Sequence, residues 1–112
     1  MTNLSASDVA LKQALYFGHD EDLVEAVRVS IVSKYSMNSM DEIPHIWPEE
    51  IDLVFLEYGG DSAETLSKIN QILTLAKGVP LYILLQQKDA DFIIEASHQG
   101  VQGFIECPNE VL

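Results

Sequence analysis

Residues Asp52 to Gly59 read DLVFLEYG. Leu53 to Leu56 are consecutive apolar residues, without the alternation of a strand that keeps one wet face. Such a run predicts a strand covered on both sides, and it stops at Glu57, just before Gly59 and Gly60. A second run of the same kind, VPLYILL, spans Val79 to Leu85. Apolar strands separated by a helical stretch predict a parallel sheet with helices on both faces.

The flanks extend the pattern. QALYFG, Gln13 to Gly18, predicts a first strand. In DEDLVEAVRVSIVSKY, Leu23, Val24, Val27, Ile31 and Tyr35 recur at helical spacing behind an acidic opening that suits the positive end of a helix dipole. Tyr35 to Met40 allows a short strand, and Pro44 and Pro48 limit any helix after it to a turn or two. DSAETLSKINQILTLAKG predicts a helix capped by Asp61 or Ser62 and ended by Gly78, with Leu66, Ile69, Ile72, Leu73 and Ala76 as its stripe. KDADFIIEASHQG predicts a third helix stopped by Gly100, with Phe92 and Ile93 turned inward and Ile94 and His98 on another side. GFIEC predicts a last short strand before Pro108, and NEVL opens a final helix that stays incomplete. The expected fold is a doubly wound α/β domain around a five-stranded parallel sheet.

Composition bounds what such a domain does. A chain of 112 residues, 47% of them hydrophobic and 21% charged, suits one folded domain over residues 1–112. One cysteine, Cys107, excludes an intrachain disulfide and fits a reducing compartment. Eighteen acidic against six basic residues, a net charge of −12, argue against nucleic acid and anionic membrane surfaces, and leave basic protein surfaces or a hard cation as partners, although solubility alone accounts for the charge more simply than either. MTNLSASDVA has no basic and apolar leader pattern, and no apolar stretch reaches bilayer length, so no membrane insertion is expected and the chain reads as cytoplasmic.

In doubly wound sheets, sites form at the carboxyl ends of the strands. Those ends supply His19, Asp20, Glu21 and Asp22, then Glu57, then Leu85 and Gln86, then Glu106 and Cys107. Glu57 is therefore expected on a solvent-reached rim near the acidic run. Asp20, Glu21, Asp22 and Glu57 could offer oxygen ligands to Mg²⁺ or Ca²⁺, although acids at a helix start and a solvated rim account for them too. His19, His45 and His98 lack zinc-ligand spacing. Cys107 with His19 as base would make a nucleophile, but no orienting Asp or Asn is evident and a lone cysteine is more often packed.

From LYFGHDED through DLVFLE and VPLYILLQ to GVQGFIECP, the chain resembles the receiver domain of response regulators, the CheY-like family. In that family an acid pair after the first strand holds Mg²⁺ and an Asp ending the third strand accepts phosphate. A Thr or Ser on the fourth strand and a Lys before proline on the fifth hold the phosphoryl group. By position these fall on His19 with Asp20, on Glu57, on Leu85 and on Cys107, and Asp20 alone matches outright. Phosphoryl transfer works by positioning and charge stabilisation, and most of the groups for it are missing. The resemblance thus implies an atypical, phosphorylation-independent receiver, with Glu57 a fixed mimic of phosphoaspartate or a relic. It also implies a face of Ile94, His98 and Phe104 for homodimerisation. The alternative it leaves is a working response regulator using Mg²⁺ with Glu57 and Asp20. Atypical receivers of this sort precede the ATPase domain of MinD-like tight-adherence pilus assembly proteins, so the chain is expected to be the N-terminal part of a longer, non-enzymatic regulator or assembly protein.

Overall fold

The computed structural model describes residues 11–106. Strand β1 (Lys12–Phe17) leads into α1 (Glu21–Ile31), then β2 (Tyr35–Met40) and β3 (Leu53–Tyr58). Helix α2 (Ser62–Leu75), β4 (Leu81–Leu85), α3 (Ala90–Gln99) and β5 (Gly103–Glu106) complete the described chain. The five strands form one sheet in the order β2-β1-β3-β4-β5, and every pairing is parallel. This is the doubly wound, flavodoxin-like topology, with the crossover from β1 to its two neighbours at the middle of the sheet.

Alternation along the strands divides the core in two. Leu15, Phe17, Val54, Leu56, Tyr58, Leu81, Ile83 and Leu85 face Ile69, Ile72 and Ala76 of the α2 segment and Phe92 and Ala96 of α3. Ala14, Tyr16, Leu53, Phe55 and Leu84 face the other way, where Val24, Leu23, Val27 and Ile31 of α1 pack on them. Strand β3 is buried on both faces, as its unbroken apolar run requires. Strand β2 lies at an edge, and YSMNSM buries Met37 alone.

One Asp caps each helix. Asp20, Asp61 and Asp89 accept from the backbone N–H of Leu23, Glu64 and Phe92, at 3.1, 3.0 and 3.1 Å. Gly100 closes α3 in the left-handed conformation at φ 110°. Asp61 rather than Ser62 is thus the cap of α2. The expected stripe of α1 is corrected at Tyr35. The helix ends at Ile31, and Tyr35 begins β2, paired with Lys12 of β1. Helical spacing carries across the intervening turn because Tyr35 still packs against the same α1-side core. The stretch with Pro44 and Pro48 forms neither helix nor strand, and Trp47 from it packs on Phe17 with ring centroids 6.0 Å apart. Cys107 and the NEVL segment lie outside the described residues.

On the α1 side an apolar groove of about 640 Å³ runs between α1 and the β4–β5 half of the sheet, with Leu23, Val27, Ile31, Tyr82, Leu84 and Ile105 among its walls. Among the described residues, α1 is the helix on this face, whereas α2 and α3 share the other.

Candidate functional site

The carboxyl ends of β1, β3 and β4 bring three loops together, and Glu57 is the residue they converge on. It stands next to last in β3, on the face that carries Phe55 and looks toward α1. Its carboxylate turns back into the β1–α1 loop. His19 N–H donates to Oε1 and Asp20 N–H to Oε2, each at 3.1 Å. The hydroxyl of Tyr16, a fully buried residue of β1, donates to Oε2 as well. Successive backbone N–H groups form the concavity that binds anions elsewhere, and here a side chain of the same chain fills it.

Gly18 makes room for that arrangement. A Cβ at this position would overlap the Glu57 carboxyl group, so no residue with a side chain fits while Glu57 holds its place. The glycine that reads in sequence as the end of a strand is therefore a close-approach glycine.

Asp20 is also fully engaged. One oxygen caps α1 through Leu23 N–H, and the other accepts from Gln86 Nε2 at 3.1 Å. Neither Asp20 nor Glu57 presents a free pair of oxygens to a hard cation, and among the described residues no group of three His, Cys, Asp or Glu side chains stands ready to hold a metal ion. His19 turns away, its Nδ1 lying 3.2 Å from Asp41 in an exposed pair at the end of β2.

Leu85 sits on the opposite face of β4, buried in the core beside Tyr58, its partner in the β3–β4 ladder. The next residue, Gln86, reaches into the site. Beside Glu57 a cavity of about 330 Å³ is lined by Gly18, Asp61, Glu64, Lys68 and Gln86 among others, and the Lys68 ammonium lies 3.5 Å from Glu64. Ile94 is 54% exposed and His98 is exposed on α3, while Phe104 is half-buried against the core and pairs with Ile83. Ile94 and His98 are thus exposed one turn apart on α3.

A second polar contact lies on the other side of β3. Tyr58 is fully buried, its ring stacked on Phe92 at 3.8 Å between centroids and 3° between planes, and its hydroxyl donates to Asp89 Oδ2. That hydrogen bond, with burial and the nearby Asp89 and Asp61 charges, pushes the Tyr58 phenol up to about 12. The same bond, with the N–H groups of Phe92 and Asp91, holds the Asp89 carboxyl below its ordinary value. Gln87 Nε2 donates to Gly59 C=O at 2.9 Å and Gln86 N–H to Tyr58 C=O at 3.2 Å, so the β3–α2 and β4–α3 loops are tied together.

Sequence reasoning places Glu57, Asp20 and Gln86 at strand ends but does not reach Tyr16, the contact of Gln86 with Asp20 or the Tyr58–Asp89 pair. One signal is available: a tyrosine inside a fully apolar strand needs a partner for its hydroxyl, and both Tyr16 and Tyr58 are in that position.

No protein-family model matches the chain, and no curated protein matches it. Solved structures do. A response regulator from Thermotoga maritima superposes with a TM-score of 0.78 at 19% identity, over 88% of this chain and 87% of that one. The receiver domain of HemR from Leptospira biflexa, in its non-phosphorylated form, gives 0.66 at 23% identity over 86% and 82%. A CpaE2 pilus assembly protein from Sinorhizobium meliloti gives 0.65 at 14% identity over 88% and 89%. The chain has the CheY-like receiver fold.

Proposed function

We propose that this chain is a receiver-like protein-interaction module that works without phosphoryl transfer. The observation that carries the reading is the Glu57 carboxylate held by two backbone N–H groups and the Tyr16 hydroxyl, against a glycine that admits no side chain. A phosphoryl group transferred to this strand end would need that same anion-binding concavity. With Glu57 in it, the module carries its own negative charge there at all times.

The chemistry around it agrees. Leu85 offers no hydroxyl, and the oxygens of Asp20 are taken by the α1 cap and Gln86. Phosphoryl transfer depends on groups positioned to stabilise the moving charge, and the site supplies few of them. The module is accordingly non-enzymatic, has no resident metal and acts in the cytoplasm through protein contacts. Its outer α3 face, with Ile94 and His98, is the surface for a second copy of the chain, and Phe104 supports that face from β5. Likeness to a CpaE2 pilus assembly protein favours a place in a longer signalling or assembly protein, with residues 1–112 as its receiver-like domain.

The test is incubation with a small-molecule phosphodonor such as acetyl phosphate and Mg²⁺, followed by intact-mass measurement. The wild-type chain is expected to gain no phosphoryl group. A stoichiometric gain located at Glu57 would overturn the proposal and favour a working response regulator.

A further inference from the structure

Strand β2 is the outer member of the sheet, and among the described residues no strand pairs with its free edge. Lys12 N–H donates to Lys34 C=O and Gly18 N–H to Met40 C=O, so residues 34, 36, 38 and 40 turn their backbone groups to β1. Strand alternation then points the backbone groups of Tyr35, Met37 and Ser39 outward. Edge strands are usually blunted by a charge, a proline or a bulge. YSMNSM has neither charge nor proline, and its ladder runs in unbroken register from the pair of Lys12 and Tyr35 to that of Phe17 and Met40. One side chain reaches across the edge: Arg28 of α1 donates from Nη2 to Met37 C=O at 3.5 Å.

Beside this edge, on the α1 side, lies a cleft of about 660 Å³ that Ser39 helps to line. Its walls carry Glu21, Asp22, Glu25 and Asp41 against the Arg28 guanidinium. Arg28 is paired with Glu25 at 3.1 Å and His19 with Asp41 at 3.2 Å, while Glu21 and Asp22 have no basic partner among the described residues. A negative cleft thus borders a row of outward backbone donors and acceptors.

From this we infer that the β2 edge is a docking site for an extended, basic segment of a partner protein, which adds to the sheet as a further strand. Main-chain hydrogen bonds to Tyr35, Met37 and Ser39 supply affinity. Side chains of an added strand alternate in direction, so lysine or arginine at every second position enters the acidic cleft. An incoming N–H takes over Met37 C=O from Arg28. A second copy of the chain is the poorer occupant, because each copy brings a net charge of −12. The inference goes beyond the proposed function, since the β2 edge needs neither the Glu57 arrangement nor the α3 face.

The probe is a short synthetic peptide of alternating lysine and valine, added to the full chain. Its control has the same sequence with every backbone nitrogen methylated, which keeps the charge and removes the main-chain donors. Fluorescence anisotropy should show the unmodified peptide binding roughly tenfold tighter, the effect of two or more main-chain hydrogen bonds. On binding, amide exchange should slow at Met37 and Ser39 and stay unchanged at Ser36 and Asn38, which face β1. Arg28→Ala frees Met37 C=O and removes a cation from the cleft, so it should tighten binding. Ser39→Pro should weaken binding to the level of the control, because an edge strand tolerates proline where the N–H faces outward. Should Ser39→Pro fail to fold, Arg28→Ala carries the test. Equal affinity for the two peptides would mean charge attraction alone and overturn the inference, as would no binding or no gain from Arg28→Ala. Protection of Met37 and Ser39 that rises with protein concentration and without peptide would also overturn it, in favour of a second copy.

Discussion

The two sides of β3 solve the same problem differently. On one, Glu57 is a charged group satisfied by donors drawn from the neighbouring loop, in space that a glycine leaves open. On the other, Tyr58 is an aromatic group packed into a closed core and satisfied by a helix cap. The first arrangement rests on hydrogen-bonding geometry and the second mainly on apolar burial. A strand end can therefore hold a rigid helix on one face while presenting a self-filled anion site on the other.

Perturbations should separate these two sides. The largest effect is expected on the packed side: Phe92→Ala removes the ring under Tyr58 and should cost about 3–5 kcal/mol in denaturant unfolding. On the polar side, Gly18→Ala forces a methyl group against the Glu57 carboxylate and should cost about 1–3 kcal/mol, with faster exchange of the His19 and Asp20 amides. Tyr16→Phe leaves Glu57 with its backbone donors alone, and a loss of about 1–3 kcal/mol is expected by the same measurement. Ile94→Asp, on the exposed face of α3, should change stability by less than about 0.5 kcal/mol yet weaken self-association in sedimentation.

A pH titration sharpens the contrast. Hydrogen bonding to Asp89 raises the folded Tyr58 phenol above its ordinary value, to about 12. Its contribution to stability is thus complete below about pH 10 and lost as pH rises toward 12. Asp89 is shifted the opposite way, so its contribution persists above the ordinary carboxylate range and is lost as acid brings the pH down through its lowered folded value. Tyrosinate absorbance should follow the first change, and Asp89→Ser should bring it back toward the ordinary tyrosine range.

The central strands are legible because their burial leaves no alternation to misread: Leu81–Leu85 falls inside the apolar run that predicts it, and Leu53–Tyr58 begins with its run and continues past it through Glu57 to Tyr58. The helices are legible from their apolar spacing, the acidic opening of α1 and the glycines that close α2 and α3, except where α1-side packing carries the apparent period on to Tyr35. The site is only half legible. That Glu57 and Asp20 share a rim follows from topology, because both lie at the ends of strands that run side by side. How they are satisfied does not follow, since Tyr16 and Glu57 are 41 residues apart and Asp20 and Gln86 are 66 apart. Nor does spacing reveal that Asp20 serves as a helix cap instead of offering a free carboxylate. Alternation along β4 turns Leu85 into the core and leaves Gln86 to enter the site, a one-residue difference that depends on where the strand stops.

Sedimentation equilibrium over a range of protein concentrations, with and without Mg²⁺ and beryllofluoride, tests the central claim most directly. If Glu57 permanently fills the anion site, the self-association curve will be the same under every condition. Association that appears or strengthens only with both additives would mean that the site opens to a phosphoryl analogue, and would contradict the account.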